Sequence, residues 1–246
     1  MSEQRRQFFS LHELLIIAAL AALGGVTNSA VSMIRAALHA VIVLPGGVQF
    51  LAGVHVVWIV IALGLIRKPG TATVTGLLAG MVELLSGNPH GLLVVLYAGL
   101  AGVTMDTVWL LLGGRDHVVT YLLAGGVAAA SNVAVFAFSA SLPARDSVLT
   151  ALAVMAVIAF ASGVILGGLL GWWLLRALRR AGVAGAGPAR KAAEGGGRRW
   201  VSVGALGLTI VLLGAAAYLA TARADVEPAD DTAVGEIAPG PTKTAG

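Results

Sequence analysis

The chain has 246 residues, 58% of them hydrophobic and only 11% charged, with a mean hydropathy of +0.90. Too few charges to cover a soluble surface, combined with long apolar runs, exclude a water-soluble globule and specify an integral membrane protein. No cysteine is present, which excludes disulfide and thiol chemistry, and the net charge of +4 with a pI near 10.0 comes from basic residues in short loops, better explained by positive-inside topology than by nucleic-acid binding.

No segment alternates polar and apolar residues as a barrel strand does, and Ala, Leu and Gly dominate, so the fold class is all-α, a transmembrane helix bundle. Arg5 and Arg6 before Phe8 and Phe9 resemble a twin-arginine signal. The apolar run that follows reaches about Ile34, too long for a signal core, and reads as an uncleaved first span. Within it Ala18 and Ala22, and again Ala21 and Gly25, stand four residues apart, a spacing that allows close helix contact, either inside the bundle or with a partner subunit. Residues 35–49 form an apolar loop broken by Pro45-Gly46-Gly47, expected to fold back over the bundle.

The second span runs from about Phe50 to Ile66, carries His55 and Trp58, and ends at Arg67-Lys68-Pro69-Gly70. The third covers Thr71 to Ser86, the fourth Leu92 to Leu112, the fifth Val118 to about Ala140, and the sixth Val148 to Leu178. These spans make a six-helix membrane core over residues 1–178. A basic Gly/Ala-rich linker (179–199), a seventh span (200–222) and a Pro- and acid-rich tail read as disordered (223–246) follow. With the N-terminus in the cytoplasm, twelve Lys and Arg fall inside and four outside, which predicts a multi-pass plasma-membrane protein with its C-terminus outside.

Two acids interrupt otherwise uncharged spans, Glu83 in the third and Asp106 in the fourth. An ionisable group at that depth is costly and usually faces a protein interior or cavity. Glu83 shares a glycine stripe with Gly76, Gly80 and Gly87, Asp106 one with Gly99, Gly102, Trp109 and Gly113, and Asn132 one with Gly125, Ala129 and Phe136. By helical rise Glu83 lies roughly 6 Å below the outer end of its span and Asp106 roughly 20 Å below that of the fourth, so they do not form one carboxylate pair.

Glu83 therefore groups with outer-layer Asn88 and His90 of the SGNPHG turn, Tyr97, Asn132, His55 and Trp58 as a candidate ligand site, on the premise that no Lys or Arg falls in the same layer. Trp58 and Tyr97 also suit interfacial anchoring, and Asn132 a helix-bridging hydrogen bond. Asp106 is expected to make a structural ion pair or coupling contact near Lys68 and Arg115. His12, His39 and His117 read as surface residues, and Trp172 and Trp173 as part of the aromatic belt.

The stretches Ile66-Arg-Lys-Pro-Gly-Thr-Ala72 and Val82-Glu-Leu-Leu-Ser-Gly87, with the helix from Gly99 to Trp109, resemble the substrate-binding S components of energy-coupling-factor (ECF) transporters. The likeness is to the hydroxymethylpyrimidine/thiamine-related group and covers roughly residues 10–178. It implies a six-helix S-component bundle that binds a vitamin or precursor, thiamine or hydroxymethylpyrimidine by preference, from outside beneath the loop after the first helix. By the same resemblance Ala18 and Ala22 dock a membrane T subunit, and two cytoplasmic ATPases supply energy. The seventh span departs from this pattern, as does the lack of a Gln before the acid of the fourth helix. Physically, a carboxylate beside aromatic rings suits a cationic aromatic ligand.

Other readings compete. A cobalt or nickel S component would account for an extra C-terminal span, yet the chain starts Met1-Ser2-Glu3 where such proteins carry Met-His, and no close His cluster replaces it. An intramembrane enzyme would need a constellation such as HExxH, a P-loop, GxSxG or a metal-spaced acid pair, and the sequence has none. A purely structural membrane subunit is the third. The reading therefore requires no cofactor, resident metal or catalytic residue.

Overall fold

Proline-free apolar runs can satisfy their backbone in hydrocarbon only by folding into helices, and this chain does so throughout its described part. The structure, a computed structural model, describes residues 9–39, 49–88, 90–140 and 146–183. Helix α1 spans Leu11–His39; a 3-10 turn at Gln49–Leu51 leads into α2, Val54–Ile66; α3 is Thr71–Leu85, α4 Leu93–Leu111 and α5 Val118–Ser139. The last rod combines α6 (Asp146–Ser162), a π-helical stretch (Gly163–Leu170) and α7 (Gly171–Arg180).

No strand occurs among the described residues, and five of these helical segments are long and apolar enough to cross a membrane. The expected linker beyond residue 183, the seventh span, the tail, most of the apolar loop and the Arg5–Arg6 pair lie outside the described residues. Within them the predicted spans agree closely with the helices, with one consequential exception. Helix α1 continues to His39 and carries Arg35 as a helical residue, not as the start of a loop.

Helix α2 is apolar on all sides and forms the centre, with Val56, Val60, Ala62 and Leu63 fully buried. Helix α3 is short. Its 15 residues reach only about 22 Å along the axis, less than the roughly 30 Å of a bilayer's hydrocarbon, so it depends on its neighbours along its length and at its ends. Glycines make close approach possible: a β-carbon at Gly76 would overlap the Ala98 carbonyl of α4, and one at Gly102 of α4 would overlap the Ala72 carbonyl of α3. On the other side Gly25 of α1 leaves room for Val82. Farther along, Gly125 of α5 lies against Gly163 and Gly168, where the last rod widens into its π-helical turns.

The start of α3 explains Asp106. Gly70, in the left-handed region at φ 84°, occupies the cap position and has no side chain to receive the helix's first N–H groups. Asp106 supplies that cap from α4: its Oδ2 accepts from Thr73 N at 2.8 Å and Thr73 Oγ1 at 2.7 Å, and its Oδ1 from Ala72 N at 3.3 Å. The ion pair expected with Lys68 or Arg115 gives way to this backbone capping. Lys68 Nζ instead reaches Glu13 Oε2 at 2.7 Å, where Glu13 and Ser10 form a capping box at the start of α1, and Arg115 is exposed.

At the same end of the bundle Asp116 ties three elements together. It accepts from Arg179 at 2.8 Å, Tyr121 at 2.8 Å and Arg67 at 3.3 Å. Burial works to raise the Asp116 carboxyl, but the bonds from Arg179 and Tyr121 and the Arg179 and Arg67 charges outweigh it and hold the group below its usual range.

Replacing Asp106 with Ala leaves the first N–H groups of α3 without their acceptor inside the bundle. The expected loss is on the order of 1–3 kcal/mol, read as a lower melting temperature of the detergent-purified protein. Arg115→Ala, which removes the charge that sequence spacing pairs with Asp106, leaves the melting temperature unchanged.

Candidate ligand-binding site

Successive antiparallel helices bring the end of α1, the start of α2, the end of α3, the start of α4, the end of α5 and the start of α6 to one end of the bundle. There they enclose a cavity of about 450 Å³. Five of the seven ligand residues expected from sequence line it: His55, Glu83, His90, Tyr97 and Asn132. Asn88 stands directly behind, its Nδ2 donating to Glu83 Oε1 at 2.7 Å while its Oδ1 accepts from His90 N at 2.9 Å. The SGNPHG turn thus hands Glu83 a fixed donor. Its two glycines, at φ 78° for Gly87 and 57° for Gly91, supply left-handed positions that other residues rarely adopt.

Trp58 is not among the lining residues. Its ring packs against Gly24 of α1 and the main apolar core, with Nε1 buried and unpartnered. Tyr97 and His90 meet edge to face, ring centroids 6.3 Å apart at 72°, and Phe136, Met155 and Ile59 complete an apolar wall.

The polar wall contributed by α1 is the part that sequence reasoning missed. Asn28, Ser32 and Arg35 follow one another at spacings of four and three and all face the cavity, joined by Gln49 from the 3-10 turn. Ser32 Oγ donates to Glu83 Oε1 at 3.3 Å. Arg35 Nη2 donates to Gln49 Oε1 at 3.2 Å, and its Nη1 lies 3.4 Å from His55 Nε2. The premise that no basic residue shares Glu83's layer is therefore wrong: Arg35 lines the same cavity. The signal was available as a polar stripe at helical spacing on the first span, hidden by ending that span at Ile34.

His90 lies in the α3–α4 turn, outside the spans. Burial first, and the Arg35 charge second, hold its imidazole below its usual value, so it is neutral at neutral pH. Asn28 Oδ1, His55 Nδ1 and Asn132 Oδ1 at this end are buried without partners among the described residues, as are Glu13 Oε1, Arg67 Nε, Thr71 Oγ1 and Trp109 Nε1 toward the other end.

The comparisons with known proteins all point to membrane transport components. Residues 12–131 match a family profile described as "ABC-type cobalt transport system, permease component". The protein YkoE of Bacillus subtilis (strain 168), provisionally named an HMP/thiamine permease protein, is 33% identical over 120 residues, 48% of this chain and 59% of that one. The chain thus aligns with about three fifths of the relative's length. A solved structure described as an S-component of an ECF transporter superposes with a TM-score of 0.66 and 27% identity, covering 71% of this chain and 88% of the other.

In sequence over residues 12–131 and in fold, the chain is similar to these transporter proteins. Five apolar helices long enough to cross a membrane, together with this likeness to transporter components, support a multi-pass membrane protein. The profile match takes in Arg35, His55, Glu83, His90 and Tyr97 and stops one residue before Asn132. Among the described residues, no three His, Cys, Asp or Glu side chains gather as a metal site would require.

The depressed His90 value has a sign that can be tested. The unfolded chain takes up this proton near pH 6.5 and the folded one only at lower pH, so the contribution to stability is complete above about pH 6.5 and is lost as pH falls toward the folded value. Melting temperatures of the wild type and His90→Gln, compared from pH 7.5 down to pH 5, are expected to converge as the wild type loses this increment.

Proposed function

We propose that this chain is the S component of an ECF transporter and captures an aminopyrimidine vitamin or precursor, of the thiamine and hydroxymethylpyrimidine class, from the outer face of the plasma membrane. The observation that carries the reading is Glu83: a carboxylate fixed by Asn88 and Ser32 at the wall of a 450 Å³ cavity that also holds Tyr97, His90 and Phe136. An aminopyrimidine offers ring-edge donors to a carboxylate and a flat face to aromatic side chains, and the volume suits a small heteroaromatic ligand. Asn132 and His55, which also line the cavity, offer further polar contacts. The name of the Bacillus subtilis relative supports the same class.

The description of the matching family supports a second reading, cobalt as cargo. The cavity's size and largely apolar, aromatic wall favour an organic ligand over a bare or hydrated ion.

For assembly, α1 divides its small residues between two faces. Ala21 and Gly25 are buried, with Gly25 against α3, whereas Ala18 and Ala22 are exposed beside Leu14, Leu15 and Leu23. That open face is the proposed dock for a T subunit, which would bring two cytoplasmic ATPases. The basic residues toward the opposite end from the cavity, among them Arg67, Lys68, Arg115, Arg176 and Arg179, support an inside N-terminus.

Mass spectrometry of small molecules retained by the detergent-purified protein is expected to recover an aminopyrimidine, and metal recovered in its place would establish the cobalt reading. Glu83→Gln should weaken aminopyrimidine binding at least about tenfold, as loss of a charge-assisted hydrogen bond in a walled cavity predicts; unchanged affinity refutes the assignment. Ala22→Trp is expected to leave ligand binding intact while abolishing co-purification with a T subunit and ATPases.

A further inference from the structure

The cavity has two formally charged side chains among its described lining residues, Arg35 and Glu83, and they are not joined to each other. Each is held instead by neutral neighbours, Arg35 by Gln49 and His55, Glu83 by Ser32 and Asn88. A guanidinium has only donors, so in the Arg35–His55 contact His55 Nε2 must accept, and the imidazole proton then resides on Nδ1. That Nδ1 is buried, without a partner among the described residues, and does not open on the cavity. The lining therefore presents the Arg35 cation, with His55 already engaged as its acceptor, and the Glu83 carboxylate.

Because Arg35 and Glu83 line one cavity, a ligand bound by its ring edge to Glu83 can direct its remaining substituent at Arg35. A cationic substituent there meets Arg35 as a like charge. A neutral one leaves the guanidinium charge unanswered in a partly desolvated wall, and an anionic one answers Arg35.

We infer that Arg35 sets the charge selectivity of this S component: among ligands sharing one ring, affinity rises from a cationic through a neutral to an anionic substituent. The inference rests on the proposed orientation of the ring toward Glu83, and it separates thiamine, which carries a permanent thiazolium cation, from its uncharged pyrimidine precursor.

The test is calorimetric titration of the full detergent-purified chain with three aminopyrimidines, thiamine, hydroxymethylpyrimidine and hydroxymethylpyrimidine phosphate. Affinity is expected to rise in that order by on the order of tenfold per step, the scale of a screened charge interaction across a small cavity. In Arg35→Gln the three affinities converge to within about twofold and thiamine gains, and in Arg35→Lys the order is retained. Tightest binding by thiamine in the wild type, or an unchanged order in Arg35→Gln, overturns the inference.

A pyridine series, pyridoxamine, pyridoxine and pyridoxine phosphate, separates this inference from the ring assignment. If the pyridines follow the charge order and the aminopyrimidines do not bind, the aminopyrimidine reading falls while the role of Arg35 stands. Binding by neither series overturns both.

Discussion

A helix too short to place both ends in water sets the terms for this bundle. Helix α3 falls well short of a bilayer's hydrocarbon thickness, and its backbone ends must be satisfied by protein. Asp106 does this at the start, reaching from α4 to the Thr73 and Ala72 amides, in a position that Gly70 cannot fill for itself. At the far end Ser29 of α1 approaches the Glu83 carbonyl at 3.5 Å, and Ser32 and Asn88 hold its carboxylate. The reciprocal glycine contacts between α3 and α4 bring these groups within reach, because a β-carbon at Gly76 or Gly102 would separate the two backbones.

Once α3 is held in this way, its two ends acquire different work. The end carrying Gly70 belongs to a rigid layer of structural charges: Asp106 on the backbone, Glu13 with Lys68, and Asp116 with Arg67 and Arg179. These acids accept from donors within the protein. The end carrying Glu83 opens on the cavity, with the Arg35 guanidinium among the same lining residues.

The cavity's electrostatics follow from which helix supplies which wall. Helix α3 contributes the single carboxylate, α1 the guanidinium, and α4 and α5 the aromatic and amide groups. A site containing only Glu83 would favour any cation of suitable size. Under the inferred role of Arg35 in the same cavity, net charge and its placement along the ligand become a stricter criterion than volume or hydrophobicity.

Composition and spacing determined that the chain is a helical membrane protein, where the described helices start and stop to within a few residues, and that Glu83 and Asp106 occupy different layers with different work. These features were legible because a hydrocarbon solvent allows few backbone solutions and taxes every buried charge, so apolar run lengths and isolated acids carry meaning without coordinates. Tertiary structure alone decided the partners. Asp106 turned from a lysine or arginine to the amides of α3, Trp58 turned into the core, and Arg35 turned into the cavity. Each outcome depends on where one helix ends relative to another, a matter of a turn or less of helix, and hydrophobic patterning cannot resolve that distance because every residue flanking the boundary is as apolar as the span itself.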